Sequence, residues 1–287
     1  MNIKFSDENL FKNLIESSLV SLPIGSVLYG LQHPQSDRDF LHILPTFRQE
    51  EESFLRNFHQ LQYKKSAENV MENLSENATE ISTETPEDHI FVSLHTFLKN
   101  CIVGESTINF ECLHTVALKE SKLSFLYEQR KNFYNYCIMR AYLGFCERDI
   151  KHYKKRQTDT DKASGIIHVQ RGLLFAQNVF QDNFELIVDD LVDFGADVRA
   201  NYKEFERFLP IYLESAKDFR QETLNKAYES GDLVRYMLPE NQKILDNSLS
   251  AFIATDFYQQ KRNQITPENQ TQIMEMYYKS FENWVEY

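Results

Sequence analysis

No apolar run in this chain of 287 residues approaches the length needed to cross a bilayer, and its N-terminus carries no signal-peptide pattern. Its four cysteines, Cys101, Cys112, Cys137 and Cys146, form no Cys-x-x-Cys pair and no disulfide-scaffold spacing. They read as buried thiols in a reducing compartment, so a cytoplasmic location is expected. A basic excess is missing too, because the formal net charge is −12. Neutralising phosphates drives binding to long duplexes, so broad duplex DNA binding is not expected, although an acidic chain can still hold one basic pocket. The eight histidines include no His-x-x-x-His pair, and Glu111 with His114 has no second copy to complete a zinc set. There is no Gly-x-x-x-x-Gly-Lys-Ser/Thr loop and no Gly-x-Ser-x-Gly elbow. Their absence disfavours a P-loop NTPase and a serine hydrolase.

What is present is ordinary globular material: 42% hydrophobic and 26% charged residues, enough for one large core or two modest ones. Residues 6–18 read as a first helix, capped by Ser6, with Leu10, Phe11, Leu14 and Ile15 as its apolar stripe. Residues 19–24 read as a strand that Pro23 confines to an edge or an irregular position. A short helix over 27–31 and a strand over 37–44 follow. Phe54, Leu55, Phe58 and Leu61 suggest another short helix, and 64–87 reads as a polar, mobile insertion. Residues 88–94 return to strand, and a helix carrying Phe97, Leu98 and Cys101 ends at Gly104. From Ser124 the periodicity is helical. Helices are expected over 202–215, interrupted by Pro210, then over 216–229 and 241–257, with a last one opening at Thr266-Pro267. The outline is α+β, divided into 1–118, a mixed α/β domain, and 119–287, an all-helical one.

The chemistry concentrates in Gly25-Ser26-Val27-Leu28-Tyr29-Gly30-Leu31-Gln32-His33-Pro34-Gln35-Ser36-Asp37-Arg38-Asp39-Phe40. On an extended segment the period of two puts Asp37 and Asp39 on the same face. Two carboxylates so close repel unless a cation sits between them, and Mg²⁺ takes oxygen ligands together with phosphate oxygens. The Gly25-Ser26 turn supplies backbone N–H groups and a hydroxyl suited to a phosphate, and Gly25 permits close approach. Metal and phosphate together point to phosphoryl or nucleotidyl chemistry. The plainer alternative is a polar turn leading into a surface strand.

The pattern Gly-Ser-x-x-Tyr-Gly-Leu-x-x-Pro-x-Ser-Asp-x-Asp-Phe resembles the nucleotidyltransferase superfamily that includes DNA polymerase beta. Within it, the chain looks like the branch found with RNA-repair genes and in large phages. The resemblance implies a polymerase-beta-like catalytic domain over 1–118 and a helical partner domain over 119–287, with a nucleoside triphosphate such as ATP in the cleft between them. It implies Mg²⁺ or Mn²⁺ on Asp37, Asp39 and a third carboxylate, for which Asp88 is the candidate and Glu87 the fallback. Asp88 opens the next strand and could lie beside Asp39 in a sheet. In the helical half, the segment from Lys162 to Arg171 is similar to the family's Lys-x-x-x-His-x-x-Arg helix, with a longer Lys-to-His interval. That likeness assigns Lys162, His168 and Arg171 to nucleotide binding beside Gly25 and Ser26. The family's Gly-Asn-Pro loop is replaced here by Glu105-Ser106-Thr107. The implied activity is transfer of an NMP from an NTP to an acceptor hydroxyl with release of pyrophosphate. An RNA 3′ end, a protein and a small molecule are all open as acceptors, and no membrane partner is expected. The competing class is a nucleotide-binding regulatory or antitoxin-like module without turnover.

Overall fold

The computed structural model describes residues 2–29, 31, 38–46, 60–65, 87–104, 106–178, 184–230 and 239–285. Five strands, β1 (Asn2–Phe5), β2 (Val20–Ile24), β3 (Arg38–Leu44), β4 (Gln60–Lys65) and β5 (Glu87–Ser93), form one mixed sheet in the order β1-β4-β5-β3-β2. The β3–β5 and β1–β4 pairs are parallel, while β2–β3 and β4–β5 are antiparallel. Strand β2 is an edge strand and carries Pro23, whose missing N–H is tolerated there.

Burial on both faces of the central strands fixes this arrangement. Along β3, Leu41, Ile43 and Leu44 are buried, and His42 with them; along β5, Phe91 and Val92 are buried. The period of two then sends Leu41, Ile43 and Val92 into a core shared with the helices, and Leu44 and Phe91 into a second core on the opposite face. That second core is closed by α1 (Glu8–Ser17) through Leu10 and Leu14, and by Ile273 of the last helix. Asp7 rather than Ser6 caps α1, its carboxylate accepting the Leu10 N–H at 2.9 Å.

After β5 come α2 (Leu94–Val103), α3 (Thr107–Cys112), α4 (Val116–Lys119) and α5 (Ser124–Glu128), and then a 3₁₀ turn over Arg130–Phe133. The long elements are α6 (Tyr136–Tyr153), α7 (Asp159–Asn178), α8 (Phe184–Ala200) and α10 (Leu209–Ser230), with the short α9 (Tyr202–Glu206) between the last two. The chain closes with α11 (Pro239–Ile253), α12 (Asp256–Gln264) and α13 (Pro267–Val285). Gly104 ends α2 in the left-handed region, at φ +66. The apolar core on the helical side runs without a break from Leu19 in the sheet half to Tyr258 in α12, so sheet and helices share it. Among the described residues, no helix is long and apolar enough to cross a membrane.

Several expected elements differ. Residues 25–29 form a turn rather than the start of a helix; the Leu31 N–H reaches the Ser26 carbonyl at 2.9 Å, five residues back, a span wider than an α-helical bond. Leu61 lies in β4, not in a helix, and Lys64 belongs to the same strand; its alternation of buried Leu61 and Tyr63 with Gln62 is a strand pattern. Gln60 of the expected helix also lies in β4, as does Lys65 of the expected insertion, and Glu87 opens β5; residues 54–59 and 66–86 lie outside the described residues. Pro210 does not interrupt a helix: it sits in the first turn of α10, where its missing N–H would have had no intrahelical partner. The expected 241–257 helix is divided, because the Thr255 hydroxyl accepts the Tyr258 N–H and starts α12. Strand β1 and helix α8 have no counterpart among the expected elements. In α8, Ile187, Leu191, Phe194 and Val198 recur at helical spacing within an acid-rich segment, and Leu191 and Val198 are buried.

A polar chain crosses the α1 face of the sheet. Ser21 Oγ lies 2.8 Å from His42 Nδ1, His42 Nε2 lies 2.9 Å from His89 Nδ1, and His89 Nε2 lies 3.3 Å from Glu87 Oε2. A carboxylate only accepts, so His89 Nε2–H donates to Glu87, and the Ser21 and His42 links follow the tautomer of each ring. Burial, reinforced by His89, pulls the His42 pKa down to about 3. Between pH ~6.5 and that value the unfolded chain binds a proton that the folded chain refuses, so His42 contributes stability that is intact above pH ~6.5 and lost as pH falls toward 3. Urea midpoints measured from pH 7 down to pH 4 should fall steeply in the native protein. In His42→Phe the slope should shrink by about one proton's worth.

Candidate active site

The parallel register pairs Asp39 with Asp88 across β3 and β5. Paired residues of adjacent strands point to the same face, and this is the face of Leu41, Ile43 and Val92, toward the helices. Glu87 is one residue earlier and so faces the other way, where it pairs with His89. Of the two candidate third carboxylates, Asp88 is therefore the one beside Asp39. Gln62 steadies it from β4, its Nε2 donating to Asp88 Oδ2 at 3.3 Å. Asp37 lies outside the described residues.

On the other side of Asp39 stands the end of β2, where Ile24 is its antiparallel partner. Gly25 follows with φ +62, a conformation L side chains rarely adopt, and a Cβ there would come within 2.8 Å of Asp39 Oδ2. The backbone angle favours glycine, and a side chain there would also push the end of the Asp39 carboxylate out of its place. The Gly25-Ser26 turn and the Asp39 carboxylate thus form one surface.

Helix α7 approaches this surface. Ser26, Tyr29 and Leu31 from the turn, Ser164, His168 and Arg171 from α7, and Arg199 from α8 line a small cavity of about 60 Å³. His168 and Arg171, three residues apart, share a helix face; Lys162 is nine residues from Arg171, half a revolution round the helix. Lys162 is accordingly not on this wall, and its Nζ lies 5.6 Å from the centre of the Tyr202 ring. So Ser26, His168 and Arg171 come together and Lys162 stands apart.

Arg171 is nearly buried, packed between the rings of Tyr29 at 5.3 Å and Phe145 at 5.2 Å, with its Nε 3.7 Å from Glu111 Oε1. Burial opposes its charge, but Glu111, with Tyr29 and Tyr142, outweighs that and holds the guanidinium pKa above its ordinary value. The Tyr29 hydroxyl, fully buried and beside Glu111, is pushed well up by both. This cluster fastens the turn to α7. It also commits Arg171 to Glu111, which leaves Arg199 as the exposed guanidinium on the cavity wall; Arg199 Nη2 donates to the Leu31 carbonyl.

His168 Nδ1 lies 3.5 Å from Asp149 Oδ2 on α6. Burial lowers the His168 pKa against the opposing pull of Asp149, so the ring is neutral at pH 7. Asp149 is kept low despite its own burial, chiefly by the hydrogen bond from His168, with Arg148 and Arg156 adding to it. A proton on Nδ1 directed at Asp149 leaves Nε2 as an acceptor.

Sequence reasoning missed Glu111, Asp149, Ser164 and Arg199 as parts of this site. Two left a trace. Glu111 is a lone acid among Phe110, Cys112 and Leu113, a setting in which a buried charge needs a partner. Arg199 is the first basic residue after Arg171, at the end of an acidic stretch. Glu111→Ala, which strands a buried guanidinium, should destabilise the protein by about 3–5 kcal/mol in urea unfolding. The apolar pair Glu111→Leu with Arg171→Met should recover most of that loss.

No family model matches the chain, and neither does any curated protein. Among solved structures the chain is similar to a nucleotidyltransferase-like protein from Exiguobacterium sibiricum 255-15, at 12% identity, over 85% of this chain and 86% of that one. The TM-score is 0.30, and at that value the likeness bears no weight in assigning residues.

Proposed function

We propose that the protein is a metal-dependent nucleotidyltransferase with a polymerase-beta-like catalytic half, moving an NMP from an NTP to an acceptor hydroxyl. The observation that carries this reading is the in-register pairing of Asp39 with Asp88, closed on its other side by the Gly25-Ser26 turn. Two carboxylates held on one face of a sheet, with like charges adjacent, are a hard-oxygen donor set that fits a divalent cation such as Mg²⁺ or Mn²⁺. Asp39 and Asp88 would hold it, with Asp37 as the third ligand that the motif resemblance supplies. When bound, the metal lowers the pKa of the attacking hydroxyl and neutralises charge on the departing pyrophosphate.

The remaining residues bind and orient. The backbone N–H groups of the turn and the Ser26 hydroxyl face phosphate oxygens, and Arg199 adds a guanidinium fork. Arg171 acts mainly from beneath, holding Tyr29 and so the turn against α7. His168, neutral and fixed by Asp149, offers Nε2 to a hydroxyl in the cavity. Attack of the acceptor oxygen forms an O–P bond at the α-phosphate and breaks the bond from that phosphorus to the bridging oxygen, releasing pyrophosphate, while the hydroxyl proton leaves to solvent. RNA 3′ ends, protein hydroxyls and small molecules are all acceptors compatible with this chemistry.

The test is transfer of label from α-labelled NTPs in Mg²⁺, with total RNA and total protein supplied as acceptors. Wild type should transfer label. Asp39→Asn should lower the rate at least about a hundredfold, as expected for loss of charge at a metal-dependent centre. Transfer that survives Asp39→Asn unchanged would refute the assignment, and NTP binding without any transfer would favour the regulatory module.

A further inference from the structure

A second, larger cavity adjoins the first. It is an open cleft of about 460 Å³ and shares Ser164 and Arg199 with the smaller one. The rest of its wall includes Asp159 and Thr160 at the start of α7, and Asn201 and Tyr202 where α8 passes into α9.

The two volumes set different limits. About 60 Å³ admits a phosphoryl-sized group and no nucleoside. About 460 Å³ lies within the range of small-molecule sites, roughly 300–1,000 Å³, and has room for a base and a sugar. The walls differ in the same sense. In the larger cavity, the Tyr202 hydroxyl donates to Asp159 Oδ1 at 2.8 Å, which fixes the ring, and Lys162 Nζ sits 5.6 Å from that ring's centre. An anchored aromatic wall, a carboxylate and an amide suit a flat heterocycle and sugar hydroxyls. Lys203 lines this cavity as well, so its wall carries two cations and one carboxylate, and what favours a nucleoside there is the volume together with Tyr202 and Asn201. Arg199, common to both cavities, stands at their junction, where phosphate meets sugar in a nucleotide.

We propose that the larger cavity is the nucleoside subsite, taking the base and ribose of an NTP whose phosphates face Ser26 and Arg199. This rests on the smaller cavity being the phosphate site.

Calorimetric titrations in Mg²⁺ with ATP, GTP, CTP and UTP singly, and with inorganic tripolyphosphate, separate the two claims. Wild type should bind its best NTP at least about tenfold more tightly than tripolyphosphate. Thr160→Trp places bulk in the cavity from an exposed position; it should weaken that NTP by about tenfold or more and change tripolyphosphate affinity less than about twofold. Asn201→Ala, which adds no bulk, should weaken the NTP by about threefold and leave tripolyphosphate unchanged. If both variants bind the NTP as wild type does, or lose NTP and tripolyphosphate alike, the nucleoside subsite is overturned while the phosphate site stands. Failure of wild type to bind any NTP or tripolyphosphate overturns the phosphate site, and the nucleoside subsite with it.

Discussion

Like charges on neighbouring strands repel, so the pairing of Asp39 with Asp88 has to be imposed by something other than the carboxylates themselves. The apolar residues next along each strand impose it. Leu41 and Ile43 on β3, with Phe91 and Val92 on β5, are fully or nearly fully buried. Each such side chain contributes about 1.5–3 kcal/mol of burial. Two unit charges about 4 Å apart near a protein surface repel by about 4 kcal/mol. The apolar ends of the strands win. A slip of one residue would turn each of these side chains to the wrong face, so the register that satisfies the core also places both carboxylates toward the helices. The cation proposed for this pair would relieve the cost that remains.

The helical half is tied to this arrangement from below. Arg171 reaches from α7 to Glu111 on α3 and lies against Tyr29, so one buried ion pair spans the turn, the helix that faces it and the helix behind. A buried pair of this kind adds little net stability, but losing either partner is expensive, and that asymmetry makes it a device for fixing geometry. Through it the position of Ser26 depends on α7. The His168 and Asp149 pair extends the same logic to α6. The wall proposed to face the phosphates is thus assembled from both halves of the chain over one continuous core.

Much of the sheet was legible in the sequence because its signals are local. The Gly25-Ser26 turn and the apolar runs of β3 and β5 are contiguous, and Asp88 at the start of a strand suggested its place beside Asp39. Strand β4 was hidden by the polar composition around it, although the alternation of Leu61 and Tyr63 was there. A short helix over 27–31 was expected from the motif, not from propensity, which Gly25, Ser26, Val27 and Tyr29 do not favour, and Gly25 at positive φ turns the chain toward Asp39 instead. In the helical half the motif placed His168 and Arg171 on one face and could not place Lys162, because a longer interval changes the face. Glu111 and Arg199 left only a faint trace and Asp149 none, since their roles come from distant partners, which no local spacing encodes.

The most direct test of the central claim is the metal itself. Mn²⁺ titrations followed by electron paramagnetic resonance, in the presence of an NTP, should show a site in wild type. Affinity should fall at least about tenfold in Asp39→Asn and likewise in Asp88→Asn, with circular dichroism unchanged. Wild-type Mn²⁺ affinity in Asp88→Asn would contradict the account, because Asp39 and Asp88 would then not share a cation.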